Sequence, residues 1–162
     1  MVPITIFQVL LIISIVIYLS LNMIYLIRLY PVKEKLVTYP YISVCIPARN
    51  EERDIKKCVE SLLNQDYPNF EIIVVDDNSS DDTAKIVCSM LEEYSNLIFI
   101  AGAKLEPGWV GKSYALHQAY KKSRGQFFLF TDADLIYQPH AFKTAMQKMI
   151  SSDIDLLTLM PA

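Results

Sequence analysis

The sequence is short of glycine and cysteine and has no excess of positive charge. Of its 162 residues, 4 are glycine and 3 are cysteine, and the formal net charge is −3. Proteins that bind the phosphate backbone of nucleic acid normally carry a basic excess, so we expect no nucleic-acid partner. Cys45, Cys58 and Cys88 lack Cys-x-x-Cys spacing and have apolar neighbours, which predicts reduced, buried thiols of a cytoplasmic domain.

Charge is also absent from the first 27 residues. The apolar run from Ile4 to Ile27 exceeds the length of about 20 residues that a bilayer-spanning helix needs. No basic residue precedes this run, and three follow it: Arg28, Lys33 and Lys35. A cleaved signal peptide has a basic start and a small-residue cleavage site, and the sequence has neither. By the positive-inside rule we predict a transmembrane anchor over residues 1–30, single-pass in the cell membrane, with the rest of the chain cytoplasmic.

After a linker at 31–41, the sequence alternates between apolar runs and stretches with helical spacing. Four runs predict strands: Ile42–Ile46, Ile72–Val75, Leu97–Ala101 and Phe127–Phe130. Four stretches predict helices: Ile55–Leu63, Ala84–Leu91, Ala115–Tyr120 and one that begins at Pro139. A further strand is predicted over Ile154–Met160. This alternation is typical of an α/β domain with a mostly parallel sheet between layers of helices, and we assign it to residues 42–162.

Polar clusters follow three of the predicted strands. They are Pro47–Glu52, Asp76–Thr83 and Thr131–Asp134. In a parallel sheet these clusters lie at one edge, where ligands of such sheets bind. Acidic groups crowded there repel one another, so a divalent metal or nearby Arg and Lys side chains must supply positive charge.

Asp132 and Asp134 are the pair of acidic residues in these clusters that most specifically indicates a metal site. Residues two apart in an extended chain point to the same side, so both carboxylates would face one hard cation. Mg²⁺ and Mn²⁺ prefer oxygen ligands and retain water and substrate phosphates, so we predict a metal that bridges a diphosphate. The alternative is that the two residues are solvated turn residues.

Asp76 and Asp77 follow a buried strand directly. A carboxylate at this position can accept hydrogen bonds from a ribose or a base, as in dinucleotide-binding folds, and the alternative is helix capping. We expect Arg49 and Asn50 either to hold their loop or to contact a nucleotide. Glu51 and its neighbour Glu52 are expected to cap the following helix.

The segment Glu106–Ser113 contains two glycines that allow close backbone approach, and Lys112 within it can act as a point charge on a phosphate. The segment lacks the glycine spacing of a P-loop. Trp109 is expected to pack on the protein in preference to a sugar. His117 and His140 are each alone and are interpreted as structural or exposed.

Three motifs together resemble glycosyltransferase family 2, the inverting enzymes of the Rossmann-like GT-A fold. They are Pro47–Glu52, Val74–Thr83 and Thr131–Asp134, in the order and at the distances usual for that family. The segment Gly108–Lys112 is similar to the branch that includes carotenoid- and hopanoid-associated glycosyltransferases, which also begin with a membrane helix.

The resemblance implies a nucleotide-sugar donor, with a uridine nucleotide the usual one, and a divalent cofactor, Mn²⁺ or Mg²⁺. The implied donor-binding residues are Pro47, Ala48, Arg49, Asn50, Glu51, Asp76, Asp77, Lys112, Asp132 and Ala133. Asp132 and Asp134 match the Asp-x-Asp metal motif of the family. The implied acceptor is a membrane-associated lipid or a carotenoid.

The general base of the family lies in the second half of the domain, which would be beyond residue 162. Asp153 and Asp155 come too early for that role, so no catalytic base is assigned and the predicted fold is incomplete. Two alternatives stay open at this point. One is a membrane-anchored accessory protein that binds nucleotide-sugar without catalysis. The other is a nucleotidyltransferase, although the glycine-free loop Pro47–Glu52 argues against it.

Overall fold

A computed structural model describes the protein over residues 4–25 and 37–158. The chain divides into two compact units, residues 1–30 and residues 31–162. Most of the predicted linker and the end of the strand predicted over 154–160 lie outside the described residues.

The first unit contains one helix, α1, over Ile4–Tyr25. Between Ile6 and Leu21 its large apolar side chains are exposed. Within the described residues, no helix combines the length and the hydropathy that a membrane crossing requires. Part of residues 1–30 lies outside the described residues, and the transmembrane anchor predicted over them stays a prediction.

The second unit is built on a four-stranded sheet. Its strands are β1 (Ile42–Ala48), β2 (Phe70–Asp76), β3 (Leu97–Ala101) and β4 (Phe127–Phe130). The strands are all parallel and lie in the order β3-β2-β1-β4. The predicted parallel α/β sheet is confirmed over these residues. Strands β1, β2 and β3 follow one another towards one edge of the sheet, and β4 then pairs with the other side of β1. The point in the sheet at which the strand order reverses therefore lies between β1 and β4.

Helices cover both faces of the sheet. They are α2 (Ile55–Leu63), α3 (Thr83–Met90), α4 (Gly111–Lys122) and α5 (Ala141–Ser152). Residues of α2, α3 and α5 pack with Val44, Ile46 and Ile72 in one apolar core. Residues of α4 pack with Cys45, Ile73 and Val75 in another. Side chains alternate between faces along a strand, so β1 and β2 contribute to both cores and are mostly apolar.

A buried carboxylate joins the start of β2 to the turn before β4. Glu71 is fully buried and accepts hydrogen bonds from the Ser43 hydroxyl (2.7 Å) and the Arg124 backbone N–H (2.8 Å). The Arg124 guanidinium donates two more, at 3.0 and 2.8 Å. Burial alone would raise the pKa of Glu71, but these donors outweigh it and the pKa is lowered.

Three sequence expectations fail in this unit. Residues 154–158 form no strand, and α5 begins at Ala141, two residues later than predicted. Cys45 and Cys58 are buried as predicted, whereas Cys88 is exposed, because α3 turns Val87 and Met90 to the core instead. Burial raises the pKa of Cys58 to about 12, so its thiol is neutral at physiological pH.

Candidate functional site

A cleft lies at the carboxyl edge of the sheet, at the point where the strand order reverses. In open parallel sheets this is where ligands bind, because the loops after the two neighbouring strands lead away in opposite directions. Here the cleft has a volume of about 430 Å³. It is lined by Pro47, Ala48, Arg49, Glu51, Asp77, Val110, Gly111, Lys112, Asp132, Ala133 and Asp134.

The structure thus brings residues from four separate polar segments of the sequence to one cleft. Two predicted donor-binding residues, Asn50 and Asp76, are not among the lining residues. Val110 and Gly111 also line the cleft, and neither is among the predicted donor-binding residues. The two glycines of their loop were the only sequence signal, because they indicate a close approach of the backbone without saying to what.

The loop after β1 is fixed to the loop after β2 by reciprocal hydrogen bonds. Asn50 adopts the left-handed conformation (φ 57°) and donates its backbone N–H to the Ser79 hydroxyl at 2.9 Å. Its side-chain oxygen accepts the Ser80 backbone N–H at 2.8 Å. The Glu51 backbone N–H donates to the Thr83 hydroxyl at 2.8 Å. Of the two roles predicted for Asn50, the structure shows that of holding the loop.

The predicted capping of α2 by two glutamates is only partly correct. The Glu51 carbonyl accepts the N–H groups of Asp54 and Ile55, at 3.1 and 2.9 Å, and so starts the helix through the backbone. The Glu52 carboxylate instead accepts the Asp82 N–H at 3.2 Å, at the start of α3. The Glu51 side chain is therefore available to the cleft.

Asp76 and Asp77 have different surroundings. Asp76 is buried, and one of its carboxylate oxygens accepts the Ser79 N–H at 3.3 Å. Asp77 continues the sheet by donating its N–H to the Ala48 carbonyl at 2.7 Å, and its carboxylate lies in the cleft 3.7 Å from the Arg49 guanidinium. Because side chains alternate along an extended strand, only one of two adjacent carboxylates can face the cleft.

The start of α4 forms the opposite wall of the cleft. Gly111 is the first helical residue, and a Cβ atom there would lie 2.6 Å from the Asp77 carboxylate. The absence of a side chain lets the positive end of α4 approach the cleft closely. Trp109, two residues before Gly111, stacks on His117 with ring centroids 4.7 Å apart, which agrees with the expectation that it packs on the protein.

Acidic side chains dominate the wall after β4. Asp132 and Asp134 are both exposed, and the Lys112 ammonium lies 2.5 Å from Asp132. Within the described residues Asp134 forms no ion pair. Burial, followed by the negative charge of Asp134 and of other nearby carboxylates, raises the pKa of Glu51. The cleft therefore holds more negative than positive charge beside Asp134, which favours binding of a cation.

The donor set of this wall suits a metal that is shared with a ligand. In the described part of the chain, no three His, Cys, Asp or Glu side chains are grouped to hold a metal ion alone. Mg²⁺ and Mn²⁺ usually bind through one or two carboxylates and take their remaining ligands from water and substrate phosphates. Asp132 and Asp134, with Glu51 beside them, meet that requirement.

Over most of its length the chain is similar to a known protein family. The model of the family described as "Glycosyl transferase family 2" matches residues 43–159. Beta-monoglucosyldiacylglycerol synthase of Trichormus variabilis is 36% identical over 104 residues, which cover 63% of this chain and 22% of that protein. The 4,4'-diaponeurosporenoate glycosyltransferase of Staphylococcus haemolyticus is 35% identical over 131 residues, covering 80% and 34%.

Solved structures show the same fold. Staphylococcus aureus TarS in complex with UDP superimposes with a TM-score of 0.57 at 31% identity, over 68% of this chain and 32% of that one. A mannosyltransferase of Pyrobaculum calidifontis, in complex with GDP-Man and Mn²⁺, gives 0.64 at 24% identity, over 84% and 39%. The GT-A-like fold is thereby shown. The chain spans between about a fifth and a third of the length of the two curated relatives named above.

Proposed function

Because the chain belongs to glycosyltransferase family 2, we propose that it binds a nucleotide-sugar, from which the sugar is transferred. We propose a UDP-sugar as this donor. The observation that carries this proposal is the convergence of Asp77, Lys112 and the pair Asp132 and Asp134 on one cleft. These groups offer a hydrogen-bond acceptor for a nucleoside, a cation for a phosphate, and carboxylates for a metal.

The nucleoside would lie between the loop after β1 and Asp77. Arg49 holds the Asp77 carboxylate from one side, and Gly111 leaves it room on the other. A carboxylate fixed in this way can accept hydrogen bonds from a ribose or a base without first losing conformational freedom. Pro47 and Ala48 supply the apolar floor of this part of the cleft.

The diphosphate would lie between the start of α4 and the side of the cleft that carries Asp132 and Asp134. We call this side the acidic wall. Backbone N–H groups at a helix N-terminus bind anions, and Lys112 adds a full positive charge there. Lys112 forms an ion pair with Asp132. Donor binding would exchange this pairing, so that Lys112 neutralises phosphate while Asp132 becomes available to a cation.

Asp132 and Asp134 would hold a divalent metal, Mn²⁺ or Mg²⁺. When bound, the metal would neutralise the charge that develops on the departing diphosphate. In this arrangement the side chains of the cleft orient the donor. They also place its leaving group, the diphosphate, next to positive charge.

For the acceptor, we propose a lipid-like molecule at a membrane surface, with a carotenoid as one of the candidates. Two observations support this. The α1 helix exposes apolar side chains between Ile6 and Leu21, and the relatives include proteins named Beta-monoglucosyldiacylglycerol synthase and 4,4'-diaponeurosporenoate glycosyltransferase. Attachment to a lipid surface would raise the local concentration of such an acceptor.

Calorimetric titration of the full chain with UDP and with UDP-glucose, each with and without Mn²⁺, tests the donor site. We expect binding that Mn²⁺ strengthens and that Lys112→Met weakens about tenfold, which is the loss of one charged contact of about 1.4 kcal/mol. Lys85→Met is the matched control, because Lys85 is also exposed and paired with an aspartate but lies outside the cleft. Absence of binding of any nucleoside diphosphate, with or without metal, would contradict the proposal.

A further inference from the structure

One face of α2 carries three polar side chains that contact the segment after β4. Cys58, Ser61 and Gln65 lie three and four residues apart, on the helix and just past its end, so they form a row on one side. Cys58 is fully buried and Gln65 nearly so. Every one of the three hydrogen-bonds backbone atoms between residues 132 and 142. We call these three residues the α2 row.

Cys58 contacts the acidic wall on both sides of Asp134. Its thiol donates to the Asp132 carbonyl, with 3.6 Å between sulfur and oxygen. The Leu135 backbone N–H interacts with the same sulfur and offsets part of the rise in the pKa of the thiol that burial causes. These contacts bracket Ala133, which is buried at 3% exposure. The two carboxylate-bearing residues therefore project from a turn whose backbone is held from beneath.

Ser61 fixes the next part of the segment. Its hydroxyl donates to the Cys58 carbonyl at 2.7 Å and accepts the Tyr137 backbone N–H at 3.0 Å. The Tyr137 hydroxyl in turn lies 2.6 Å from the hydroxyl of Thr131, the buried residue directly before Asp132. Ser61 thus holds the backbone of Tyr137, whose hydroxyl contacts the residue directly before Asp132.

Gln65 fixes the far end of the segment. Its amide nitrogen donates to the Gln138 carbonyl at 2.8 Å and to the Ser61 carbonyl at 3.1 Å. Its amide oxygen accepts the Phe142 backbone N–H at 3.1 Å, within the first turn of α5. The row therefore binds the whole connection from β4 to α5, which has no strand or helix of its own.

We infer that the α2 row positions Asp132 and Asp134 for the cation and diphosphate of the donor, with Cys58 as the residue nearest the acidic wall. This inference rests on the proposed donor site. Carboxylates hold a metal tightly only when the groups behind them fix their direction, and loss of such outer contacts typically lowers metal affinity about 10- to 100-fold. The β1–β4 ladder ends at Phe130, and beyond it only the Thr131 N–H bonds back to β1, so the sheet does not supply this support at residues 132–134.

Cys58→Val tests the inference, with Cys45→Val as the matched control. Both thiols are fully buried, but that of Cys45 contacts the Ser123 hydroxyl instead of the acidic wall. Valine keeps the approximate volume and removes the thiol donor. In calorimetric titrations of the full chain, we expect Cys58→Val to reduce the strengthening of UDP binding by Mn²⁺ about tenfold and to leave metal-free UDP binding within about twofold. Cys45→Val should change neither quantity, and Cys58→Ser should restore part of the Mn²⁺ effect.

Amide hydrogen exchange provides a second measurement that needs no ligand. The Leu135 N–H should exchange at least about tenfold faster in Cys58→Val than in the unmodified chain, because valine removes the sulfur with which this N–H interacts. The Tyr137 N–H should respond in the same way to Ser61→Ala, which serves also if Cys58→Val does not fold. Unchanged exchange at both amides, or an undiminished Mn²⁺ effect in Cys58→Val, would overturn the inference. Failure of the unmodified chain to bind UDP would instead contradict the proposed function, while the exchange measurement would still decide whether the row holds the wall.

Discussion

Ionisable side chains in the cleft are arranged in two pairs of opposite charge, with acidic groups in excess. Arg49 faces Asp77, and Lys112 faces Asp132. Asp134 and Glu51 share the remaining negative charge, and the raised pKa of Glu51 reflects its burial and this neighbour. The paired residues hold the walls of the cleft together, and the two other acidic residues would favour the cation of the proposed donor site.

Replacement of Asp134 isolates the unpaired charge. We expect Asp134→Asn to weaken Mn²⁺-dependent UDP binding at least about tenfold, because the substitution removes one anionic ligand directly. Metal-free UDP binding should stay nearly unchanged, since Asp134 is not one of the residues proposed to bind the nucleoside. Calorimetry with and without Mn²⁺ measures both quantities. Asp155→Asn, an exposed aspartate outside the cleft, is the control, and equal losses in the two variants would contradict the assignment.

Glu71 gives a prediction for the pH dependence of stability. Its pKa is lowered in the folded state by its donors, so its ionised form stabilises the fold above the ordinary carboxyl range. That stabilisation is lost as the pH falls from about 4, the unfolded value, through the lower folded pKa. We expect Glu71→Gln to lower the free energy of unfolding by about 2 kcal/mol at pH 7. Urea unfolding from pH 7 to pH 3 should show this difference shrinking, and a constant difference would contradict it.

At the scale of elements, periodicity and apolar runs were sufficient to predict the four strands and the helices between them. Strand β3 has the predicted bounds Leu97–Ala101. The strand predicted over residues 154–160 fails within its described part, because an apolar run alone does not provide a partner strand. The sequence likewise does not predict that Asp76 lies outside the cleft lining. It does not specify the residue at which β2 ends, and it therefore does not show which of Asp76 and Asp77 faces the cleft.

The junction between Asp77 and α4 gives a prediction for an element boundary. Gly111→Ala would place a Cβ atom 2.6 Å from the Asp77 carboxylate, which must then turn away from its position beside Arg49. We expect UDP binding to weaken about tenfold, while thermal stability is unchanged or slightly higher, since alanine favours helix over glycine by about 1 kcal/mol. Calorimetry and thermal unfolding measure the two effects.

Gly108→Ala should show the opposite pattern. Gly108 has a positive φ of 86° and open space around it, so alanine there costs stability through the backbone and not through the cleft. If both variants lost stability and binding in parallel, the close approach of α4 to Asp77 would not be the cause.

For the whole molecule, the sequence predicted a parallel sheet with its polar clusters at one edge, but not the order of the strands. The position of β4 beside β1 depends on contacts between residues far apart in the chain, such as Phe130 with Cys45. That position creates the cleft, because it brings Ala48 and Asp132 into one lining. Neither the Lys112–Asp132 pair nor the contacts of the α2 row could be predicted without it, since each joins elements that only the strand order makes neighbours.

Exposure of apolar side chains on α1 gives a prediction for the whole chain. In flotation with lipid vesicles, we expect the unmodified chain to float and a variant with Ile12→Asp, Val16→Asp and Leu19→Asp to remain at the bottom, because buried charge opposes insertion into lipid. Val37→Asp, a substitution at an exposed apolar residue outside α1, is the control and should float. Equal flotation of the two substituted chains would show that α1 is not the attachment.

The contact between Cys58 and Asp132 joins two points that are 74 residues apart in sequence. Contacts between distant residues form slowly, since a long loop must close before they contribute any free energy. During folding, β1, α2 and β2 can therefore associate early, while the acidic wall reaches its support only after β4 has docked. Competence to bind a cation should consequently appear as one of the last events of refolding, later than the recovery of most helical signal.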